Sequence, residues 1–255
     1  MSSRKPIFDP QKKIGFRLSR RNNSAHMDIS SLGTKGALAV VVAVTLCSIW
    51  AWMDEDFHRD FLFDLQAVKH LRQYYRFLTS GLIHADVFHL LFNMFSFHSF
   101  AQDIEHHYGP VILLVIFIVS ILGGSLLSYV WHYKDLQHSA LGASGGVSGI
   151  IYANILLSPG ESYISMFMIP VPIPASVYAV LYILISYYAL KKKSDNIGHD
   201  AHIGGALVGV IAAIIAQPKV VMHHPILLGF LLLPVAGIIL YELRLNGFFR
   251  RKKWN

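Results

Sequence analysis

One cysteine, Cys47, in 255 residues leaves no intramolecular disulfide to form and gives no reading of redox compartment. Charge is scarce as well. Asp, Glu, Lys and Arg make up 15% of the chain against 54% hydrophobic residues, where a soluble domain carries about 25% charged residues. So little charge does not cover a water-soluble globule, and so much apolar side chain excludes disorder. The chain also lacks an internal repeat and a low-complexity linker. What charge there is sits in clusters. Of the 22 Lys and Arg, eight precede Gly36, three form Lys191-Lys192-Lys193 and five follow Leu243. The long uncharged stretches between these clusters place the chain in a bilayer. The net charge of +7 then points to anionic headgroups, because the basic residues flank apolar segments and form no aromatic-interleaved stripe for nucleic acid.

A helix needs roughly 20 apolar residues to cross a bilayer. Candidate spans are 37–53, 77–101, 110–131, 141–157, 175–190, 201–216 and 225–241. Asp103, Glu105, Asp135, Glu161, Asp195 and Glu242 fall at ends or in loops, with Asp86 and Asp200 near span starts. The expected fold is an all-α membrane protein, a six-helix bundle with a possible additional C-terminal helix. Its expected layout is a basic tail over 1–35, a core over 36–218, a possible seventh segment over 219–243 and a basic tail over 244–255. The first 35 residues lack the early apolar core of a cleavable signal, so the segment from Ala37 is expected to stay. Segment 54–76 mixes Phe57, Phe61, Leu62, Phe63 and Leu65 with charges and reads as interfacial. Segment 169–174 carries three prolines and is not helical.

Orientation follows from the basic residues. With the N-terminus cytoplasmic, seven spans put nine Lys and Arg inside and thirteen outside, whereas six spans put fourteen inside and eight outside. The charge rule prefers six and hydropathy permits seven.

Polar residues within spans need explaining, because lipid penalises them. Gly142-Ala143-Ser144-Gly145-Gly146-Val147-Ser148-Gly149 opens the fourth span. A glycine-flanked serine suits a nucleophile that substrate must approach closely, and small residues at this spacing equally suit helix packing. A second small-residue face runs through Gly198, Ala201, Gly205 and Gly209, with His202 beside it. If the two faces meet, His202 reaches Ser144. Asp200 lies about 200° around the helix from His202 and reads as an end-cap or interfacial group, so the pattern suggests a dyad, not a triad. His89 and Asn93 are four apart and share a face. They fit either an oxyanion site or an interhelical hydrogen-bond pair. His84 and His98 lie off that face, where packing or loop hydrogen bonding suits them.

Together these residues resemble the rhomboid intramembrane serine proteases over about 36–216. The family's Gly-x-Ser-Gly is matched by Gly142-Ala143-Ser144-Gly145, and its Ala-His-x-x-Gly-x-x-x-Gly by Ala201-His202 through Gly205 and Gly209. Its His-x-x-x-x-His-x-x-x-Asn is matched by His84, His89 and Asn93. The resemblance implies Ser144 as nucleophile and His202 as general base. It implies an oxyanion site of His89, Asn93 and the Ser144 backbone N–H. Glu105 matches the family's structural Glu near the inner end. Two positions depart. Tyr75-Arg76 stands where the family commonly has Trp-Arg, and Ser148 stands where it usually has a Tyr stacked on the catalytic His. The resemblance therefore implies that His202 lacks that stacking partner. It also implies hydrolysis of a peptide bond in or near the transmembrane segment of single-pass membrane substrates, with no cofactor and no metal. The dyad would open to the outer side. Oligomeric state is not readable.

Three rivals are weaker. A metal enzyme is suggested by 14 histidines, with His106-His107, His199/His202 and His223-His224 as ligands, but His-Glu-x-x-His is absent and no carboxylate–histidine cluster falls within one span. A non-catalytic, derlin-like client-binding protein is the alternative within the family, although such relatives typically lose the Ser or the His. A transporter would show repeated halves.

Overall fold

The computed structural model describes residues 35–159, 163–166, 169–192 and 198–245. The tails expected at 1–35 and 244–255 lie almost wholly outside the described residues. Helix α1 (Lys35–Met53) is followed by a segment of α2 (Glu55–Phe61), β1 (Phe63–Asp64), α3 (Leu65–His70) and α4 (Arg76–Thr79). Next come α5 (Val87–Trp131), β2 (Ser139–Ala140) and α6 (Ser144–Leu157). The hairpin β3 (Tyr163–Met166) and β4 (Ile169–Pro174) leads into α7 (Ala175–Lys192) and α8 (His199–Ala216). The short α9 (Val220–His223) and then α10 (Pro225–Leu245) close the order.

The expected second and third spans are the two halves of α5, separated at Gly109, whose φ of 82° and ψ of 166° are not helical. Pro110, with no N–H and a fixed φ, suits the first position after that break. The first half starts at Val87, not near Phe77, because the Asp86 carboxylate caps it by accepting the His89 N–H at 2.8 Å. Segment 169–174 is the strand β4, in keeping with its prolines. Segment 225–241, on which charge and hydropathy disagree, is part of one continuous helix, α10, that runs through Pro234. By length and composition α1, α5 and α10 are each able to cross a bilayer.

Large apolar side chains face outward along these helices. Phe88 is 84% exposed, Phe95 69% and Ile226 88%. Such a surface is stable against lipid and not against water. The chain is an integral membrane protein built as an all-α bundle.

Helix α6 is different, because all fourteen of its residues are buried. At 1.5 Å per residue it is roughly 21 Å long, short of a bilayer core of about 30 Å. It is walled by protein, so it need not span. Its neighbours approach to backbone contact. A Cβ at Gly205 would fall on the Gly145 carbonyl, and one at Gly209 on the Gly149 carbonyl. Close small-residue packing of this kind substitutes for the hydrophobic effect that lipid does not supply.

This contact predicts that Gly205→Val destabilises the bundle by at least about 3 kcal/mol through overpacking against backbone that does not yield. Gly229→Val, on α10 where nothing lies within 4 Å of a Cβ, is the neutral control. Thermal unfolding of both variants in one detergent checks it.

Candidate active site

The turn into α6 is held from both sides. Gly142 has φ +118° and donates its N–H to the Ser80 carbonyl at 2.9 Å. The Ala143 N–H donates to His84 Nε2 at 3.2 Å. With Nε2 accepting, His84 carries its proton on Nδ1, which faces Ser48 Oγ at 3.0 Å. His84 is fully buried and precedes α5, so it is a loop brace.

His89 covers the glycine of this turn: a Cβ at Gly142 would lie 2.7 Å from His89 Cε1. Glycine is thus required twice, by the positive φ and by the imidazole above it. His84 meets His89 edge-on with centroids 5.0 Å apart. Asn93, one turn along, is buried and uses one amide hydrogen on the His89 carbonyl at 2.9 Å. Ser144 is 6% exposed and lines a cavity of about 20 Å³ with Ser80, Ser125, Ser128, Gly142 and Ala201. That volume holds a single water.

His202 sits in the first turns of α8. The glycine contact with α6 and the shared position of Ser144 and Ala201 on the cavity bring it to the same end of the helix pair as Ser144. Two residues of α7 fix its ring. Ser186 Oγ lies 2.9 Å from His202 Nδ1. Tyr182 stacks on the imidazole with centroids 5.2 Å apart and planes 21° from parallel. The Tyr182 hydroxyl is 3.2 Å from Ser148 Oγ, which also donates to the Ser144 carbonyl at 2.7 Å.

The expectation that Ser148 deprives His202 of an aromatic partner is therefore corrected. The stacking ring comes from α7, and the small Ser148 leaves room for it. Neither Tyr182 nor Ser186 was singled out in the sequence. The available signal was weak: a serine within an apolar span, one helical turn from a tyrosine.

Asp200, two residues from His202 and so on the opposite side of the helix, does not cap α8. It is 1% exposed, and the N-cap of α8 is Gly198. Its carboxylate lies 3.5 Å from His132 Nε2. The His132 ring stacks on His138 at 3.7 Å. Burial, and then the facing His132, hold the His138 imidazole below the ordinary histidine range, against the opposing pull of Asp200.

Arg76 and Glu105 are structural in position. Buried Arg76 donates to the carbonyls of Arg59 and Leu62, at 2.5 and 2.7 Å, and so ties down the segment between α1 and α5. Glu105, 2% exposed, accepts the backbone N–H groups of Gly36 and Ala37 at 2.7 and 2.8 Å, which caps α1 with charge. The α6–α8 contact accounts for Gly145, Gly205 and Gly209. Among the described histidines proposed as ligands, His106 and His107 meet edge-on, as do His223 and His224, and His107 Nδ1 lies 2.8 Å from the Asp103 carbonyl.

Residues 71–219 match the model of the rhomboid domain. Curated relatives include the mitochondrial RHOMBOID-like protein 12 of Arabidopsis thaliana, 31% identical over 53% of this chain and 44% of its own. Rhomboid protease AarA of Providencia stuartii is 30% identical over 55% of each chain. Rhomboid protease GluP of Bacillus subtilis is 29% identical over 55% of this chain and 26% of its own. The match thus spans about half or less of these relatives' lengths. Covering well over half of this chain, the domain match establishes that it belongs to the rhomboid family.

Proposed function

We propose that this chain is an intramembrane serine endopeptidase that cleaves a peptide bond in or near the transmembrane segment of single-pass substrates. The observation that carries the reading is the support given to His202. One nitrogen is engaged by Ser186 and one face is covered by Tyr182, so the other nitrogen, Nε2, is committed to one direction. In catalysis Ser144 Oγ attacks the scissile carbonyl while His202 Nε2 takes its proton. The oxyanion is received by the Ser144 N–H, the His89 ring and Asn93 Nδ2. His202 then protonates the leaving amine, and a water at the cavity beside Ser144 hydrolyses the acyl-enzyme. The chemistry runs through a dyad. Residues 36–218 form the catalytic unit, with 219–243 an added membrane helix and the basic tails flanking. The N-terminus is cytoplasmic and the site opens to the outer side, the end at which α6 begins.

A purified reporter with one transmembrane segment, reconstituted with the protein in vesicles, tests this reading. Cleavage is expected with wild type and lost at least about a thousandfold in Ser144→Ala and His202→Ala. Specific retention of the uncleaved reporter by all three proteins would instead support the client-binding alternative.

Ser186 and Tyr182 act as positioning residues. Ser186→Ala is expected to lower kcat about tenfold with KM unchanged, the equivalent of one hydrogen bond. Tyr182→Phe keeps the ring and most of the rate, whereas Tyr182→Leu does not. A change confined to KM would contradict the positioning role.

A further inference from the structure

Three segments meet just beyond the active site. His132 caps the end of α5, His138 lies in the following loop, and Asp200 lies in the first turn of α8. Each offers a ligand atom, and all three atoms lie within 4.8 Å of one another. Asp200 is the anomaly. Its side chain is 1% exposed, and neither carboxylate oxygen has a hydrogen-bond partner. His132 Nε2 also lacks a hydrogen bond, and at 3.5 Å it approaches only one of the two oxygens. A buried carboxylate left this way costs several kcal/mol unless something else compensates it.

We propose that His132, His138 and Asp200 form a binding site for a divalent transition-metal cation of the zinc class. Two imidazole nitrogens and one carboxylate oxygen are a borderline donor set, which suits Zn²⁺ and not the all-oxygen preference of Ca²⁺ or Mg²⁺. Around a tetrahedral ion with bonds of about 2.0–2.2 Å, ligand atoms lie roughly 3.3–3.6 Å apart. The donors therefore draw in by about 1 Å, and the stacked rings turn edge-on to the ion. Ser128 Oγ, 2.7 Å from His138 Nε2, provides the outer hydrogen bond that steadies a ligand ring. A fourth position remains for water.

The cation ties the loop after α5 to the first turn of α8, two residues before His202. It is a clamp on the helix that carries the proposed base. The sites suggested by paired histidines in the sequence differ from this one, whose ligands come from segments far apart in the chain.

The test uses the full chain, purified without a polyhistidine tag, stripped with chelator and reloaded with Zn²⁺ or Co²⁺. About one equivalent of Zn²⁺ is expected to survive dialysis, and Co²⁺ is expected to show the intense visible bands of tetrahedral coordination. Asp200→Asn and His138→Gln should each lower affinity at least about tenfold, as loss of a ligand requires. Zn²⁺ should raise the unfolding midpoint of wild type and not of the variants. If one variant fails to fold, the other and the wild-type metal content still decide. Wild type with no retained metal and no thermal response would overturn the site and leave a buried ion pair. Equal binding by wild type and folded variants would also overturn it, because the metal would then sit elsewhere. None of these readouts depends on proteolysis.

Discussion

The backbone contact between α6 and α8 is the constraint from which the site follows. Gly205 against the Gly145 carbonyl, and Gly209 against the Gly149 carbonyl, bring the two helices nearer than any side chain permits. Ser144 opens one helix of that pair and His202 lies near the start of the other. Moving the helices apart by one methyl group would separate Ser144 from His202 without altering either residue. The same contact buries α6 completely, so a helix too short to span lipid is stable, and its serine starts in a recess that a water can enter.

Helix α7 supplies what that pair lacks. Tyr182 and Ser186 hold the imidazole by face and by nitrogen. Helix α7 is tied in turn to α6 by the Tyr152 hydroxyl, which donates to the Ala179 carbonyl at 3.0 Å. The Tyr187 hydroxyl ties it to α10 by donating to Glu242 at 2.6 Å. These are polar bonds between helices in an apolar medium, where an unsatisfied group has no water to turn to. Tyr182 thus provides from another helix the ring on His202 that a serine at position 148 does not.

Much of this architecture was legible in the amino-acid order, and its failures have physical reasons. The spacing of Gly198, Ala201, Gly205 and Gly209 announced a narrow helix face, and GASG announced its partner. Both follow from local periodicity, which sequence carries directly. The start of α5 was misplaced because 76–82 is apolar enough to pass for membrane helix, while the Asp86 cap and the extended residues before it decide the boundary. The partners of His202 were missed because they lie on a third helix, and no local pattern states which face α7 turns inward. Asp200 was correctly turned away from His202, but its burial depends on the loop after α5, 62 residues or more upstream. Its neighbours His132 and His138 are drawn to it by tertiary structure alone.

The central claim is that this helix pair activates Ser144. Incubating the detergent-purified protein with a fluorophosphonate, and locating the adduct by mass spectrometry, tests it most directly. The account predicts one adduct, on Ser144, that is absent in His202→Ala. No adduct on folded wild type, under conditions where a serine hydrolase control is labelled, or labelling that persists in His202→Ala, would contradict it.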